Sequence, residues 1–271
     1  THATLRVIGT AAAGHPFNAQ LGEGDAVRIY TGGQLPSGAD SVIEQEYCLA
    51  TDNKVHVRFK PPKDNIRRRG EDVRKGARLL PSGHRLRAQD ILLAASIGLT
   101  SFTVFRRLRI GLISTGDELR EPGQTLRSGQ IWDANRLLLK SLLSPLACDL
   151  RDYGILRDDP REIERTLICA AGDCDLIITS GGMSVGAEDH IRTVIGRRGY
   201  LEAWPIAIKP GRPVGLGDID DCPILALPGN PTAAAIAFIA FGRPIVTMLA
   251  GAQDEYPLTL CLPAGFEFEK P

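Results

Sequence analysis

Apolar and polar positions along this chain follow two different rhythms. Up to about residue 64, short runs alternate apolar with polar residues. They are Ala26-Val27-Arg28-Ile29-Tyr30, Lys54-Val55-His56-Val57-Arg58-Phe59 and the briefer Ser41-Val42-Ile43. Gly32-Gly33, Pro36-Ser37-Gly38 and Pro61-Pro62 punctuate them. A period of two broken by turn formers predicts a small β domain over 1–64. Residues 65–107 read as a connector holding one short helix, Ala88 to Ile97, stopped by Gly98 at a C-cap position.

From Leu108 the rhythm becomes strand, loop, helix, repeated. Continuous apolar runs at Arg109–Ser114 and Asp175–Thr179 predict strands buried on both faces. Further strands are expected at Ile206-Ala207-Ile208, Val214-Gly215-Leu216 and Pro223–Leu227, and another ends at Ile155-Leu156. Asp133 is a good N-cap for a helix over Ala134–Leu143, Asp159-Pro160 opens the next helix, and a last one runs from Pro231 to about Leu249. The pattern predicts an α/β fold in which 108–250 is a mostly parallel, three-layer α/β/α domain. The segment 251–271 reads as the start of a further β domain, its first strand beginning near Tyr256.

Composition narrows the function classes. Of 271 residues, 43% are hydrophobic and 24% charged, with 32 basic and 32 acidic side chains. That balance argues against a nucleic-acid or membrane partner. The basic run Arg67-Arg68-Arg69 is followed by Glu71 and Asp72 and so forms a mixed-charge patch. No stretch is expected to reach the about 18 apolar residues of a membrane span, and the first residues lack a leader pattern. Six cysteines show no Cys-x-x-Cys pair and no histidine at ligand spacing, which argues against a zinc site. Cys169 and Cys174 are expected as small buried hydrophobes, and the thiols suit a reducing, cytoplasmic setting.

Four loops at expected strand ends carry unusual residues, and in open α/β sheets ligands bind outside the carboxyl ends of strands. The first is Ser114-Thr115-Gly116-Asp117-Glu118. Its carboxylates could hold Mg²⁺ through oxygen or shape a polar pocket, and a plain turn of solvated acids would look the same. The second, Thr179-Ser180-Gly181-Gly182-Met183-Ser184-Val185-Gly186, is followed by Glu188 and Asp189. It has more glycine than a turn needs and would expose N–H groups to phosphate. The third, Lys209-Pro210-Gly211-Arg212-Pro213, presents two cations on a stiff backbone; a rigid surface loop is the other reading. The fourth, Leu227-Pro228-Gly229-Asn230-Pro231, makes a helix start whose free N–H groups favour negative charge. Together they describe a phosphate-bearing ligand lying across a sheet end. Walker, Gly-x-Gly-x-x-Gly and Gly-x-Ser-x-Gly patterns are absent, and His190, beside the glycine loop, is a lone histidine.

These four motifs resemble the molybdopterin molybdenumtransferases, the MoeA-type proteins and the E domain of gephyrin. So do Arg28-Ile29-Tyr30-Thr31-Gly32-Gly33 with Pro36 and Gly38-Ala39-Asp40, and Asn65-Ile66-Arg67-Arg68-Arg69-Gly70-Glu71-Asp72. The resemblance runs from about residue 5 to 250 in the family's motif order. It implies a molybdopterin-binding fold and insertion of molybdate into adenylated molybdopterin, with release of AMP and with Mg²⁺ assisting. It implies a homodimer whose site lies between the α/β domain of one subunit and the β domain of the other, with the molybdopterin adenylyltransferase as a further candidate partner. Residue by residue, it places Glu118, Asp158, Asp189 and Lys209 in catalysis and Asp117, Glu118 and Asp189 at the metal. It places Thr31, Asp72, Gly181, Gly182, Ser184, Gly186, Arg212, Pro228, Gly229 and Asn230 against the ligand.

Departures from the family pattern accompany the match. An upstream helical segment with an Asp-Gly-Tyr/Phe-Ala motif would precede Thr1, and a C-terminal β-barrel would continue past Pro271, so a chain shortened at both ends is expected. Pro205 stands where many relatives carry a basic residue, Arg212 where they often carry Lys, and Ala187-Glu188 where the spacing residues differ. Two other readings are a non-catalytic molybdopterin-binding or scaffold paralogue and the adenylyltransferase itself. The β domain at 1–64 argues against the latter.

Overall fold

Residues alternate in facing along the central strands, and this alternation sorts the apolar side chains into two buried clusters. One gathers Ile113, Ile177, Ile224 and Ala226 with Ile163, Leu167, Ile191 and Val194. The other gathers Ile110, Leu112, Leu176, Ile178, Leu225 and Leu227 with Leu139, Leu143, Ala234 and Phe238. A sheet buried on both faces follows, as expected of a layered α/β fold. The computed structural model describes residues 3–59, 65–181, 190–206, 213–253, 260–263 and 265–267.

The chain forms two compact units, Thr1–Leu79 and Leu80–Pro271. In the first, β1 (Ala3–Ala11), β2 (Asp25–Ile29), β3 (Cys48–Thr51) and β4 (Lys54–Val57) form a sheet of order β2-β1-β4-β3. β1 pairs parallel to β2 and antiparallel to β4. Ser41-Val42-Ile43, expected as a strand, is not one. Pro36 and Gly38 precede it, and Gly38, at φ 87°, packs against the backbone of Leu21. The run Arg67-Arg68-Arg69 meets acids as expected: Arg67 pairs with Asp72 at 3.5 Å and the Arg68 N–H donates to Glu71 at 2.7 Å.

The second unit holds α1 (Ala88–Ser96), β5 (Leu108–Thr115), β6 (Leu119–Arg120), β7 (Ile131–Trp132), α2 (Ala134–Leu143), β8 (Cys148–Leu156) and α3 (Pro160–Asp173). It continues with β9 (Leu176–Ser180), α4 (His190–Ile195), β10 (Gly199–Pro205), β11 (Pro213–Ile219), β12 (Cys222–Leu227), α5 (Pro231–Ala237) and α6 (Arg243–Leu249). The main sheet has the order β10-β11-β12-β9-β5-β8. β12, β9, β5 and β8 are parallel. β11 runs against β10 and β12, so β10 points the same way as the parallel four. The mostly parallel sheet is therefore as predicted. Asp133, Asp159 and Asn230 cap α2, α3 and α5 through their side chains.

Four further expectations need correction. Of the strand expected at Ile206–Ile208, Ile206 lies just past the end of β10 at Pro205 and is not in a strand, and 207 and 208 lie outside the described residues. Cys169 is exposed, while Cys174 is buried as expected; all six thiols are free. The last helix is broken by a π-helical turn, Phe238–Gly242, where Gly242 leaves room for the Phe238 ring. That helix, Pro231–Leu249, has 19 residues and a mean hydropathy of 1.7, enough by length and composition to cross a membrane, contrary to expectation. Its Ala234, Ala237, Phe238 and Val246 are buried against the sheet in the same cluster as Ile110 and Ile178. We read it as the core helix of this face.

At the amino end of β5, Asp175 locks two strands together. It accepts from Arg106 at 2.6 and 2.8 Å, from the Arg109 guanidinium at 2.7 Å and from the Arg109 N–H at 2.8 Å. Hydrogen bonds from Arg106, then Arg109, outweigh burial and hold this carboxyl well below the usual carboxylate range. A depressed folded pKa stabilises above the unfolded pKa of about 3.9 and loses that contribution as pH falls toward the folded value. Asp175→Asn should therefore cost about 1.5–3 kcal/mol at neutral pH, the worth of charge-assisted hydrogen bonds. Its difference from the parent should shrink steadily below about pH 4, read from urea midpoints at each pH. A difference that stays constant into acid would show that the ion pair contributes nothing.

Candidate functional site

The carboxyl ends of β5, β8, β9, β10 and β12 all face one edge of the sheet, and the loops singled out above leave from there. β5 ends at Thr115 beside Leu156, the last residue of β8. Gly116, at φ 148°, turns the chain; its N–H donates to the Leu156 carbonyl at 3.3 Å and its carbonyl accepts from Leu119 at 3.1 Å. The φ of 148° is what favours glycine here, since a methyl at 116 would meet only the movable carboxylate end of exposed Glu118.

This turn is tied to the loop after β8 by a reciprocal pair. The Asp117 N–H donates to the Asp158 carboxylate at 3.1 Å, and the Asp158 N–H donates to the Asp117 carboxylate at 3.3 Å. Each acid is thus held by a backbone donor, which offsets part of the repulsion between two carboxylates sharing a corner. Asp117, Glu118 and Asp158 are brought together here, with the first two exposed. Asp189 and Lys209 lie outside the described residues. Among the described residues, no three His, Cys, Asp or Glu side chains group to hold a metal ion.

β9 leaves the sheet between β5 and β12. Gly181 sits at φ 92°, its N–H donates to the Leu227 carbonyl at 3.2 Å, and a methyl added to it would stand 2.7 Å from the Thr115 carbonyl oxygen. Gly182, Ser184 and Gly186 lie outside the described residues. Pro228 is buried, Gly229 and Asn230 are exposed, and the Asn230 side chain accepts from Ala233 N–H at 3.1 Å to cap α5. Pro205 pairs with Pro213 at the same edge, and Arg212 falls in the undescribed residues between them. Thr31 follows β2 in a turn closed by Gly33 N–H to Tyr30 at 2.9 Å, and Asp72 pairs with Arg67; both are exposed and belong to the first unit.

Two neighbours on α2 escaped the sequence reading. Asn135 is buried and donates both amide hydrogens, to Ser180 Oγ and to the Gly229 carbonyl, each at 2.7 Å. Arg136 is buried among three acids: Asp133 at 3.2 Å, Asp152 at 2.7 Å, and Glu121. Burial opposes its charge, yet Asp133, Asp152 and Glu121 together outweigh burial and raise its pKa further. For Asp152, burial is likewise outweighed, by Lys140, the Gly154 N–H and Arg136, which hold the carboxyl low. The segment Trp132-Asp133-Ala134-Asn135-Arg136 signals only a helix start, so neither role was visible in the sequence. Chemically, the edge offers carboxylates suited to a hard cation beside glycine-bearing exits suited to an anion.

Comparison with known proteins bears on this arrangement. Residues 111–248 match the probable molybdopterin binding domain, and residues 1–98 match the MoeA N-terminal region, domains I and II. A molybdopterin molybdenumtransferase of Haemophilus influenzae is 42% identical over 93% of this chain and 63% of its own length. One of Synechococcus elongatus is 32% identical over 98% of this chain and 67% of its own. The crystal structure of a molybdopterin biosynthesis moeA protein from Pyrococcus horikoshii OT3 superposes with a TM-score of 0.78 at 30% identity, over 93% of this chain and 62% of that one. The chain thus spans 63% of the Haemophilus relative and 58% of one from Nostoc. Two family matches and relatives aligned along nearly the whole chain agree with the fold and motif order, and the chain belongs to the molybdopterin molybdenumtransferase family.

Proposed function

We propose that this chain acts in molybdenum-cofactor biosynthesis by inserting molybdate into adenylated molybdopterin with release of AMP. The observation that carries this reading is the reciprocal Asp117–Asp158 clamp, which sets Glu118 and two further carboxylates at the exits of β5 and β8. Beside them stands the β9 exit, whose glycine loop suits a phosphate-bearing ligand. In this reading Glu118, Asp158, Asp189 and Lys209 take part in the reaction. Gly181, Gly182, Ser184, Gly186, Arg212, Pro228, Gly229 and Asn230 line the ligand, with Thr31 of the β domain and Asp72 of the connector contributed from outside the α/β domain.

Mg²⁺ binds few protein carboxylates and completes its shell with water and phosphate oxygens. Asp117 and Glu118, exposed on one turn, fit that donor set, with Asp189 as the third ligand. The ion would neutralise charge as the phosphoanhydride breaks. The reading carries with it a homodimer, a cytoplasmic setting and contact with the adenylyltransferase that supplies the substrate. It also divides the chain into a β domain to about 64, a connector to 107, the α/β domain over 108–250 and the opening of a further β domain.

The test is AMP release from adenylated molybdopterin by the purified chain, with and without molybdate and Mg²⁺. Molybdate-dependent release supports the proposal. Binding without release would favour a binding paralogue, and neither binding nor release would overturn both. Asp158→Ala should lower the molybdate-dependent rate about 100-fold, since it frees the Asp117–Glu118 turn and small misplacements cost that much. Its circular dichroism should match the parent, because the clamp lies at the rim of the sheet and not in its core.

A further inference from the structure

We infer that Asn135 is a positioning residue that locks the exits of β9 and β12 to each other and fixes how the second presents its backbone. This rests on the reading of the sheet edge as the molybdopterin site and adds to it a residue the motifs do not contain.

The geometry assigns the amide unambiguously. The Gly229 carbonyl can only accept, so the nitrogen of Asn135 must face it, and the same nitrogen reaches Ser180 Oγ. Both contacts are 2.7 Å, so both amide hydrogens are used. Asn135 sits on the first turn of α2, behind Asp133, whose side chain caps that helix. The side chain is therefore anchored on a rigid element and reaches two loops that are 45 and 94 residues away in sequence. Asn135 Oδ1 has no partner among the described residues. A leucine or alanine would fill a helix–sheet contact without a buried polar atom, so the amide's place is accounted for by its two donors.

The consequence for the loops follows from peptide planarity. In a trans peptide the C=O and the following N–H point in opposite directions. Pinning the Gly229 carbonyl toward α2 turns the Asn230 N–H away from α2. A flip of this one peptide would aim a carbonyl where a donor now points. Gly229 has no side chain to resist that flip, and the space around its α-carbon is open, with Gly181 Cα nearest at 3.9 Å from a notional methyl. The other end of the link holds Ser180, the last residue of β9 before the glycine loop. Because Ser180 Oγ accepts from Asn135, its own proton is left to donate.

Two variants and two readouts test this. In the ligand-free protein, Asn135→Ala should speed amide exchange about tenfold over the segment around 228–233 and leave the β5 strand unchanged. Its affinity for adenylated molybdopterin should fall about tenfold, by the same factor at every pH when compared with the parent. Asn135→Asp keeps the shape but places a carboxylate against the Gly229 carbonyl. Relative to the parent it should bind worse than the alanine variant at about pH 8. It should recover toward the parent near about pH 5.5, where a carboxyl with a raised pKa regains a proton to donate. A structural role alone would not produce that pH dependence. Parental exchange and affinity in a folded Asn135→Ala protein would overturn the inference, as would identical pH profiles for the two variants. Should the alanine variant not fold, the pH profile of Asn135→Asp decides alone. If the parent itself does not bind adenylated molybdopterin, the functional reading fails, and the exchange measurement still decides the role of Asn135.

Discussion

Replacing Arg136 with methionine is expected to lower the unfolding free energy by about 3–5 kcal/mol, the cost of leaving a buried charge without its partner. The guanidinium is 6% exposed and bonds Asp133, itself 1% exposed, while also reaching Asp152 and Glu121. Methionine matches the stem in length, so the loss is electrostatic and not a cavity. Asp152 keeps Lys140 and the Gly154 N–H, and Glu121 is half exposed and turns to water. Asp133 alone is stranded: it retains only its capping bond from the Arg136 N–H at 3.1 Å. A second change, Asp133→Asn, keeps that cap and removes the charge. The double variant should therefore recover about half of the loss in a double-mutant cycle by urea unfolding. Additive losses would show that the two side chains are not coupled, and the account of the cluster would be wrong.

Arg136 also marks where the sequence stopped being legible. Local signals were readable because their physics is local. Asp133, Asp159-Pro160 and Asn230-Pro231 cap or open the helices they precede, through bonds spanning two or three residues. The strands at Leu108–Thr115, Leu176–Ser180 and Cys222–Leu227 announce themselves as continuous apolar runs because both their faces are covered. Signals failed where the partner is distant in sequence. β1 owes its place to β2 and β4, and its polar residues Thr4 and Arg6 hide it. β10 is an edge strand in which Tyr200, Glu202 and Trp204 are exposed around buried Leu201, so it lacks the apolar run that drew attention to Ile206–Ile208. The π-helical turn follows from fitting Phe238 against Gly242.

The candidate site divides the same way. Its glycines and prolines stood out because they are costly where no turn requires them. Asp117 and Asp158 were each noticed, one as a loop acid and one by resemblance, but nothing in the chain announces that they exchange hydrogen bonds across 41 residues. Asn135 was invisible for the same reason at greater range. The residues proposed to meet a ligand are locally odd, whereas those that hold them in place are locally ordinary. Only the fold separates the second kind from any other helix residue.

A comparison of two glycines at the site tests how much of that oddness is structural. Gly181→Ala is expected to cost about 2–4 kcal/mol, summing a left-handed backbone with a steric overlap that has no easy relief. The φ of 92° lies in the region that side chains avoid, and the added methyl would stand 2.7 Å from the Thr115 carbonyl oxygen. That oxygen is backbone at the end of a central strand. Relief therefore means moving the β9 exit away from β5, along with the Ser180 hydroxyl held by Asn135. Gly229→Ala is the contrasting case: its φ is not in that region and the nearest atom to the methyl is 3.9 Å away. It should leave stability within about 1 kcal/mol, with a small gain from reduced freedom of the unfolded chain. Thermal and urea unfolding of the two variants, side by side, read the difference directly. Equal losses would mean that the strain assigned to Gly181 is not there. A large loss confined to Gly181 would show that this glycine serves the sheet end, in a turn the fold itself demands.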